Sequence, residues 1–236
     1  MSTIRIVTDG SALFLDPTVI QRYQITVVPV YVQIGTDVFR LGVDLDPDAL
    51  FYRLQNSNHQ PILLPPTVEE FYQVYDALNQ STTAIVSMHM SSQLGQIYKS
   101  ALTASRMLLG RCDIAVVDSQ TVSAGLGFLV HRAAEIISQF DQLEPAIKAI
   151  RRLLPRVYSV FYLRTMQTLA QRGLIGQAQT ILGEMLGVMP FVTIEDGELT
   201  IMEKALSDAQ AIDKLIEFIG EFTNIEDMLI LHSPYD

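Results

Sequence analysis

Along this chain, short runs of β-branched and aliphatic residues alternate with stretches whose apolar positions recur every three or four residues, and polar turns separate the two. The first kind of run reads as strand and the second as helix. Strands are expected at residues 3–8, 25–34, 38–41, 84–88 and 113–117, and helices at 17–23, 46–54, 67–78, 94–109, 123–139 and 145–154. Local chemistry supports several of these. Gly35-Thr36-Asp37 turns one strand back into the next as a hairpin, and Pro47 occupies a first-turn position that a helix tolerates. Thr67 with Glu70 forms a capping box, whereas Pro61-Ile-Leu-Leu-Pro-Pro66 reads as an extended connection, because proline disfavours helix at its own position and before it. Beyond Pro155 the pattern predicts a strand at 157–162 and helices at 165–171 and 175–186 divided by Gly173. A hairpin of 191–194 and 199–202 across Asp196-Gly197, a helix at 208–222 and a last strand at 228–231 follow.

Strand and helix in alternation imply an α/β fold with a mostly parallel sheet flanked by helices. The change of pattern near Pro155 divides the chain into an N-terminal α/β domain, 1–154, and a smaller C-terminal α/β domain, 155–236. The stretch 85–109 is the most informative: a buried strand, then Ser91 and Ser92, then an amphipathic helix. Amides in such a turn lack intrahelical acceptors and carry partial positive charge, so with the two hydroxyls they suit a small anion such as a carboxylate. Ser92 reads equally simply as the cap of that helix. The pattern recurs, with Asp9-Gly10-Ser11 after the first strand and Asp118-Ser119 after the strand at 113–117. If these strands are parallel neighbours, their turns gather along one sheet edge, where open α/β folds bind ligands. Aspartates would repel an anionic ligand, so Asp9 and Asp118 are assigned to orienting hydroxyls and capping amides; each alone also reads as a loop cap.

Composition narrows the function. The 236 residues are 49% apolar and 18% charged, enough for a sizeable core and an apolar cavity. A net charge of −10 argues against nonspecific nucleic-acid binding and against acidic membrane surfaces. The single cysteine, Cys112, excludes an internal disulfide and a cysteine-rich metal site and suits a reducing cytoplasm. No apolar run reaches the roughly eighteen residues of a membrane span, so a cytoplasmic protein without stable membrane insertion is expected. The chain has no Walker loop, dinucleotide glycine fingerprint, Gly-x-Ser-x-Gly elbow or His-Glu-x-x-His helix. Its four histidines do not cluster, and His89, two residues before Ser91, reads as a hydrogen-bonded structural residue or as a base. The nine methionines suit a core or a flexible apolar cavity.

A series of short motifs carries a resemblance: Val7-Thr-Asp-Gly-Ser11, Ile25-Thr-Val-Val-Pro29, Gly42-Val-Asp44, Met90-Ser-Ser-Gln-Leu-Gly95, Val117-Asp-Ser119 with Ser123-Ala-Gly-Leu-Gly127, Ile181-Leu-Gly183, Pro190 and Glu195-Asp-Gly197. In this order and spacing the chain resembles the DegV family, bacterial fatty-acid-binding proteins of the kind that present an acyl chain to a fatty-acid kinase. The resemblance implies a two-domain protein, not an enzyme, with no metal and no cofactor. One long-chain fatty acid would lie between the domains, its carboxylate near a threonine-and-serine cluster. Carried over by residue, Ser91 and Ser92 occupy the family's serine pair, and Asp9, Ser11, Asp118 and Ser119 its first and third polar turns. Gly125 and Gly127 match its glycine stretch at the carboxylate end. Leu63 stands where the family has the carboxylate-binding threonine, which removes a hydroxyl. Leu174 replaces an arginine, and the sequence stops at 231–236, short of the family's final strand and its His-x-Gly-Pro-Gly segment. These departures favour a second reading, a lipid sensor or binding module without kinase coupling. A third, a small-molecule enzyme using Ser92 with His89 or Asp118, is weakened by the missing nucleophile signature.

Overall fold

The computed structural model describes residues 4–44, 47–57, 59–171 and 173–232. Thr3 and Asp46, expected to open a strand and a helix, lie outside these residues, as do Arg172 and residues 233–236. The chain divides into two units, Met1–Tyr158 with Asp196–Glu198, and Ser159–Glu195 with Leu199–Asp236.

In chain order the first unit contains β1 (Ile4–Asp9), α1 (Thr18–Arg22), β2 (Thr26–Val28), β3 (Tyr31–Ile34), β4 (Asp37–Arg40), α2 (Pro47–Asn56) and β5 (Ile62–Leu64). It continues with α3 (Val68–Asn79), β6 (Ala84–His89), α4 (Ile97–Arg106), β7 (Asp113–Asp118), α5 (Ala124–Ile137) and α6 (Leu143–Arg151). Four strands form a parallel sheet in the order β2-β1-β6-β7. Such strands are covered on both faces, which is why they read as unbroken apolar runs. Ile6, Val7, Ile85, Val86 and Met88 form the centre of the core. Helices α3 and α4 pack on each other and α4 on β6 and β7, while α5 and α6 pair and rest on β1, β6 and β7. The polar exceptions inside this sheet, Thr8, Asp9, Ser87 and His89, are all buried and all lie toward the carboxyl ends of their strands.

Two expectations for this unit are corrected. Residues 25–34 are not one strand: β2 joins the parallel sheet, and β3 belongs to a second, antiparallel sheet of order β4-β3-β5. Pro29 stands between them, and without an N–H it cannot continue the ladder. Residues 61–66 are more than a connection, since 62–64 form β5, with Leu63 opposite Val32. An edge strand tolerates the flanking prolines, because its outer side needs no ladder hydrogen bonds. The capping box forms as expected: Thr67 accepts from the Glu70 amide, and Glu70 reaches back to the Thr67 amide.

The second unit holds β8 (Val160–Tyr162), α7 (Gln167–Gln171), α8 (Gln177–Met185), β9 (Met189–Glu195), β10 (Glu198–Ala205) and α9 (Asp208–Gly220). Its sheet has the order β10-β9-β8. Asp196 and Gly197 both have positive φ, the conformation that a two-residue hairpin turn of matching twist demands. Buried apolar residues form two small clusters, one around Met166, Leu169 and Val192 and one around Phe191, Ala205 and Ala211. The strand expected at 228–231 does not form; those residues are exposed and irregular, with no neighbouring strand to pair with among the described residues.

Candidate functional site

Strands β1, β6 and β7 are parallel neighbours, so the turns that follow them open from one edge of the sheet. Asp9, His89 and Asp118 are their last residues.

Asp9 is the hub of this edge. Its buried carboxylate accepts the Ser11 amide at 3.0 Å and the Ser11 hydroxyl on Oδ1. On Oδ2 it accepts His89 Nδ1 at 2.9 Å and the Met90 amide at 3.2 Å. Burial pushes this carboxyl up, but the hydrogen bond and charge of His89, with the two bonds from Ser11, outweigh that effect and hold it below its ordinary value. The carboxylate therefore stays ionised inside the protein.

A hydrogen-bonded chain runs inward from it. His89 Nε2 lies 2.7 Å from the Ser87 hydroxyl, which lies 2.7 Å from the Tyr75 hydroxyl. The Phe71 ring meets the imidazole at a right angle, with centroids 5.0 Å apart. An ionised Asp9 only accepts, so Nδ1 carries a proton. With a neutral imidazole, all groups are satisfied when Tyr75 donates to Ser87, Ser87 to Nε2, and Nδ1 to Asp9. Burial pushes the Tyr75 phenol up, with the Ser87 hydrogen bond opposing, so it remains protonated and able to start the chain. On the opposite face of β1, the buried Thr8 hydroxyl has no hydrogen-bond partner among the described residues.

The third turn is tied to the second. Asp118 accepts the Ser92 amide at 3.2 Å and the Gln120 amide at 3.0 Å. The Ser119 amide donates to the His89 carbonyl, and the Ser91 amide to the Thr121 carbonyl. Gln120 and Ser123 both adopt positive φ, a strained conformation for residues with a side chain. Ser123 accepts the Leu13 amide at 3.0 Å, which brings the first turn against the start of α5. Gly127 permits that approach, because a Cβ there would lie 2.0 Å from the Leu13 carbonyl oxygen.

The expected hydroxyls differ in what they can still offer. Ser11 donates to Asp9, Ser119 to the Thr121 carbonyl, and Ser91 to the Gly197 carbonyl at 2.6 Å. Each of these protons is committed inside the protein. The Ser92 hydroxyl, half-buried, makes no hydrogen bond among the described residues. Nor does Ser92 cap the following helix: α4 begins only at Ile97, with Gln96 as its cap and no side-chain bond. A turn of several residues intervenes because Ser91, through its carbonyl and hydroxyl, holds the amides of Leu94 and Gln93.

Thus Asp9, Ser11, Ser91, Ser92, Asp118 and Ser119 come together in one network. Gly127 is buried beneath Leu13, and Gly125 lies half-buried in the first turn of α5. Leu63 stands apart on β5, in the other sheet, with its side chain exposed. Leu174 packs against the small core around Met166 and Leu169. The spacing of Ser87 and His89, two polar residues two apart on an apolar strand, signals one shared face; Tyr75 and Thr121 carry no comparable mark in the sequence. Among the described residues no cluster of His, Cys, Asp and Glu is suited to hold a metal ion.

A sequence profile of the DegV family, described as uncharacterised proteins, matches residues 3–234. The chain belongs to the DegV family. A DegV domain-containing protein of Caldanaerobacter subterraneus is 29% identical over 219 residues, covering 93% of this chain and 77% of that one. Among solved structures, a DegV-family protein from Thermus thermophilus described as fatty acid binding superposes with a TM-score of 0.81 at 27% identity, over 92% of this chain and 77% of that one. DegV of Bacillus subtilis, described as a fatty acid binding protein, gives 0.80 at 24% identity, over 94% and 78%. The fold is thus that of the DegV family.

Proposed function

We propose that this chain binds a single-chain lipid, a long-chain fatty acid foremost, with the polar end of the ligand at the carboxyl edge of the parallel sheet beside Ser92, and performs no chemistry on it. One observation carries the reading: at an edge where every other expected hydroxyl is committed, Ser92 keeps a half-buried hydroxyl free, in a chain that shares its fold with a fatty-acid-binding relative. Affinity need not come from the polar end. Burying an acyl chain contributes about 0.8 kcal/mol per CH₂, so one hydrogen bond suffices to orient it.

The order Ser87, His89, Asp9 resembles a nucleophile, a base and its orienting acid. All three side chains are fully buried, however, and Ser87 also bonds Tyr75, so a substrate would have no path to the hydroxyl in this state. That supports binding rather than turnover. Presentation of the bound acid to a fatty-acid kinase is the finer form of the proposal. Leu63 and Leu174, apolar where the family has a hydroxyl and a guanidinium, favour the alternative of a binding module uncoupled from a kinase.

Native mass spectrometry of the purified protein, followed by lipid extraction, is expected to return one acyl ligand per chain, and added fatty acid is expected to raise the unfolding temperature. A persistently empty protein that shows no thermal shift ends the proposal. Ser92→Ala is expected to weaken binding by about 1 kcal/mol, roughly fivefold in Kd, by titration calorimetry. Acyl-phosphate formation with a fatty-acid kinase, ATP and loaded protein separates the carrier from the uncoupled module.

A further inference from the structure

We infer that this chain forms a two-fold dimer through β7, the last strand of the parallel sheet, which pairs antiparallel with β7 of a second copy. The inference is independent of the lipid-binding reading and concerns a different surface of the first unit.

The backbone shows what this edge lacks. In the order β2-β1-β6-β7, strand β7 has a neighbour on one side only. The Asp113 amide donates to the Thr83 carbonyl and the Ser119 amide to the His89 carbonyl, so the odd-numbered residues of β7 turn their backbone groups toward β6. Alternation then turns the N–H and C=O of Ile114 and Val116 outward. Among the described residues these four groups have no hydrogen-bond partner, although both residues are half-buried. Backbone groups so placed call for a partner.

Nor is the edge defended. The other edge strand, β2, is three residues long and runs into Pro29. Strand β7 has six residues in unbroken register with β6, carries no proline, lysine or bulge, and is apolar from Ile114 to Val117. Such an edge is a template for another strand. A cleft of about 930 Å³ lies along it, bordered by Ile114 and Ala115, by Leu109 just past the end of α4, and by Ile147 of α6.

Charge selects the occupant. Glu144, Lys148 and Arg151 also line the cleft and, spaced by four and three, share the exposed stripe of α6, while Ala146 and Ile150 face the core. None of the three forms an ion pair among the described residues. With Asp141 just before the helix, the stripe is acidic at its start and basic at its end. A two-fold axis reverses α6, so the acidic end of one copy meets the basic end of the other and the surface complements itself. Centred on Ala115, the same axis sets Ile114 of one copy to exchange both backbone hydrogen bonds with Val116 of the other. Ala115 then faces its own counterpart at the close, non-hydrogen-bonded position of the ladder, where a methyl group fits. In this register Asp113 and Asp118 stand opposite Val117 and Cys112, so no two carboxylates oppose each other.

Sedimentation velocity of the full chain across a dilution series is expected to show a reversible equilibrium between monomer and dimer that weakens with added salt. Val116→Pro removes an outward amide and leaves the ladder to β6 intact. It is expected to raise the dimer dissociation constant at least roughly tenfold, since each dimer loses two such bonds. Glu144→Lys and Lys148→Glu, both on the exposed stripe of α6, are each expected to raise it as well. An equimolar mixture of these two variants is expected to restore the dimer, because the exchanged charges then meet their opposites across the interface, a rescue that misfolded protein does not show. A chain that stays monomeric throughout the series, a dimer indifferent to Val116→Pro, or a mixture no better than either charge variant alone overturns the inference.

Discussion

Asp9 is a fully buried carboxylate whose four donors come from two places in the chain, its own turn at Ser11 and the end of β6 at His89 and Met90. Removing its charge leaves His89 Nδ1 and two amides facing a weaker acceptor in a dry environment, which is the costly way to break a buried pair. Asp9→Asn is expected to lose about 3 kcal/mol at neutral pH, read as a lowered urea midpoint. The pH dependence has a definite sign. The native carboxyl lies below its unfolded value of about 3.9, so its stabilisation is complete above that pH and fades as pH falls through the native value. The gap between wild type and Asp9→Asn should therefore hold constant from neutral pH to about pH 4 and close below it. Asp9 and Ser11 were legible in the sequence as a polar turn after a strand. Their link to Ser87 and Tyr75 was not, since the Asp9–His89 bond spans 80 positions and nothing local encodes it.

Helix α5 shows how an element can be tuned for its neighbours against its own propensity. Glycine inside a helix ordinarily costs about 1 kcal/mol relative to alanine, so Gly127→Ala should stabilise by that rule alone. Here the added methyl would meet the Leu13 carbonyl, a backbone atom held by the Leu13–Ser123 hydrogen bond. The expected outcome is the reverse, a loss of about 1–3 kcal/mol seen as a lower unfolding temperature. It should come with altered exchange of the Leu13 amide, because the first turn must move. Helix α3 obeys its local signals: Thr67→Ala should cost about 1 kcal/mol by urea unfolding, through the lost capping box. Most strands and helices could be read from period and punctuation. Two of those misread, 25–34 and 61–66, were governed by which neighbour each segment pairs with, and a break at Pro29 sent two halves of one apolar run to different sheets.

The two units differ in how they are held together. The first has one continuous core through the parallel sheet and its helices, whereas the second relies on two small clusters and leaves Ile181, Leu182, Met185 and Leu186 of α8 and its end, with Ile212 and Ile216 of α9, exposed. Local stability follows buried apolar contact, so backbone amides of β9 are expected to exchange at least roughly tenfold faster than those of β1 and β6 in native-state hydrogen exchange. Equal protection in both would show that the second unit draws stability from something other than these clusters. The sequence by itself determined the α/β class, the order of nearly all elements and the three polar turns, because strand and helix periods and turn chemistry are local properties of a few consecutive residues. It also marked the family, through short motifs in a fixed order. Only the tertiary structure decided which hydroxyl remains free. Where a proton points depends on the acceptor that folding brings to it, and for Ser91 that acceptor lies 106 positions away.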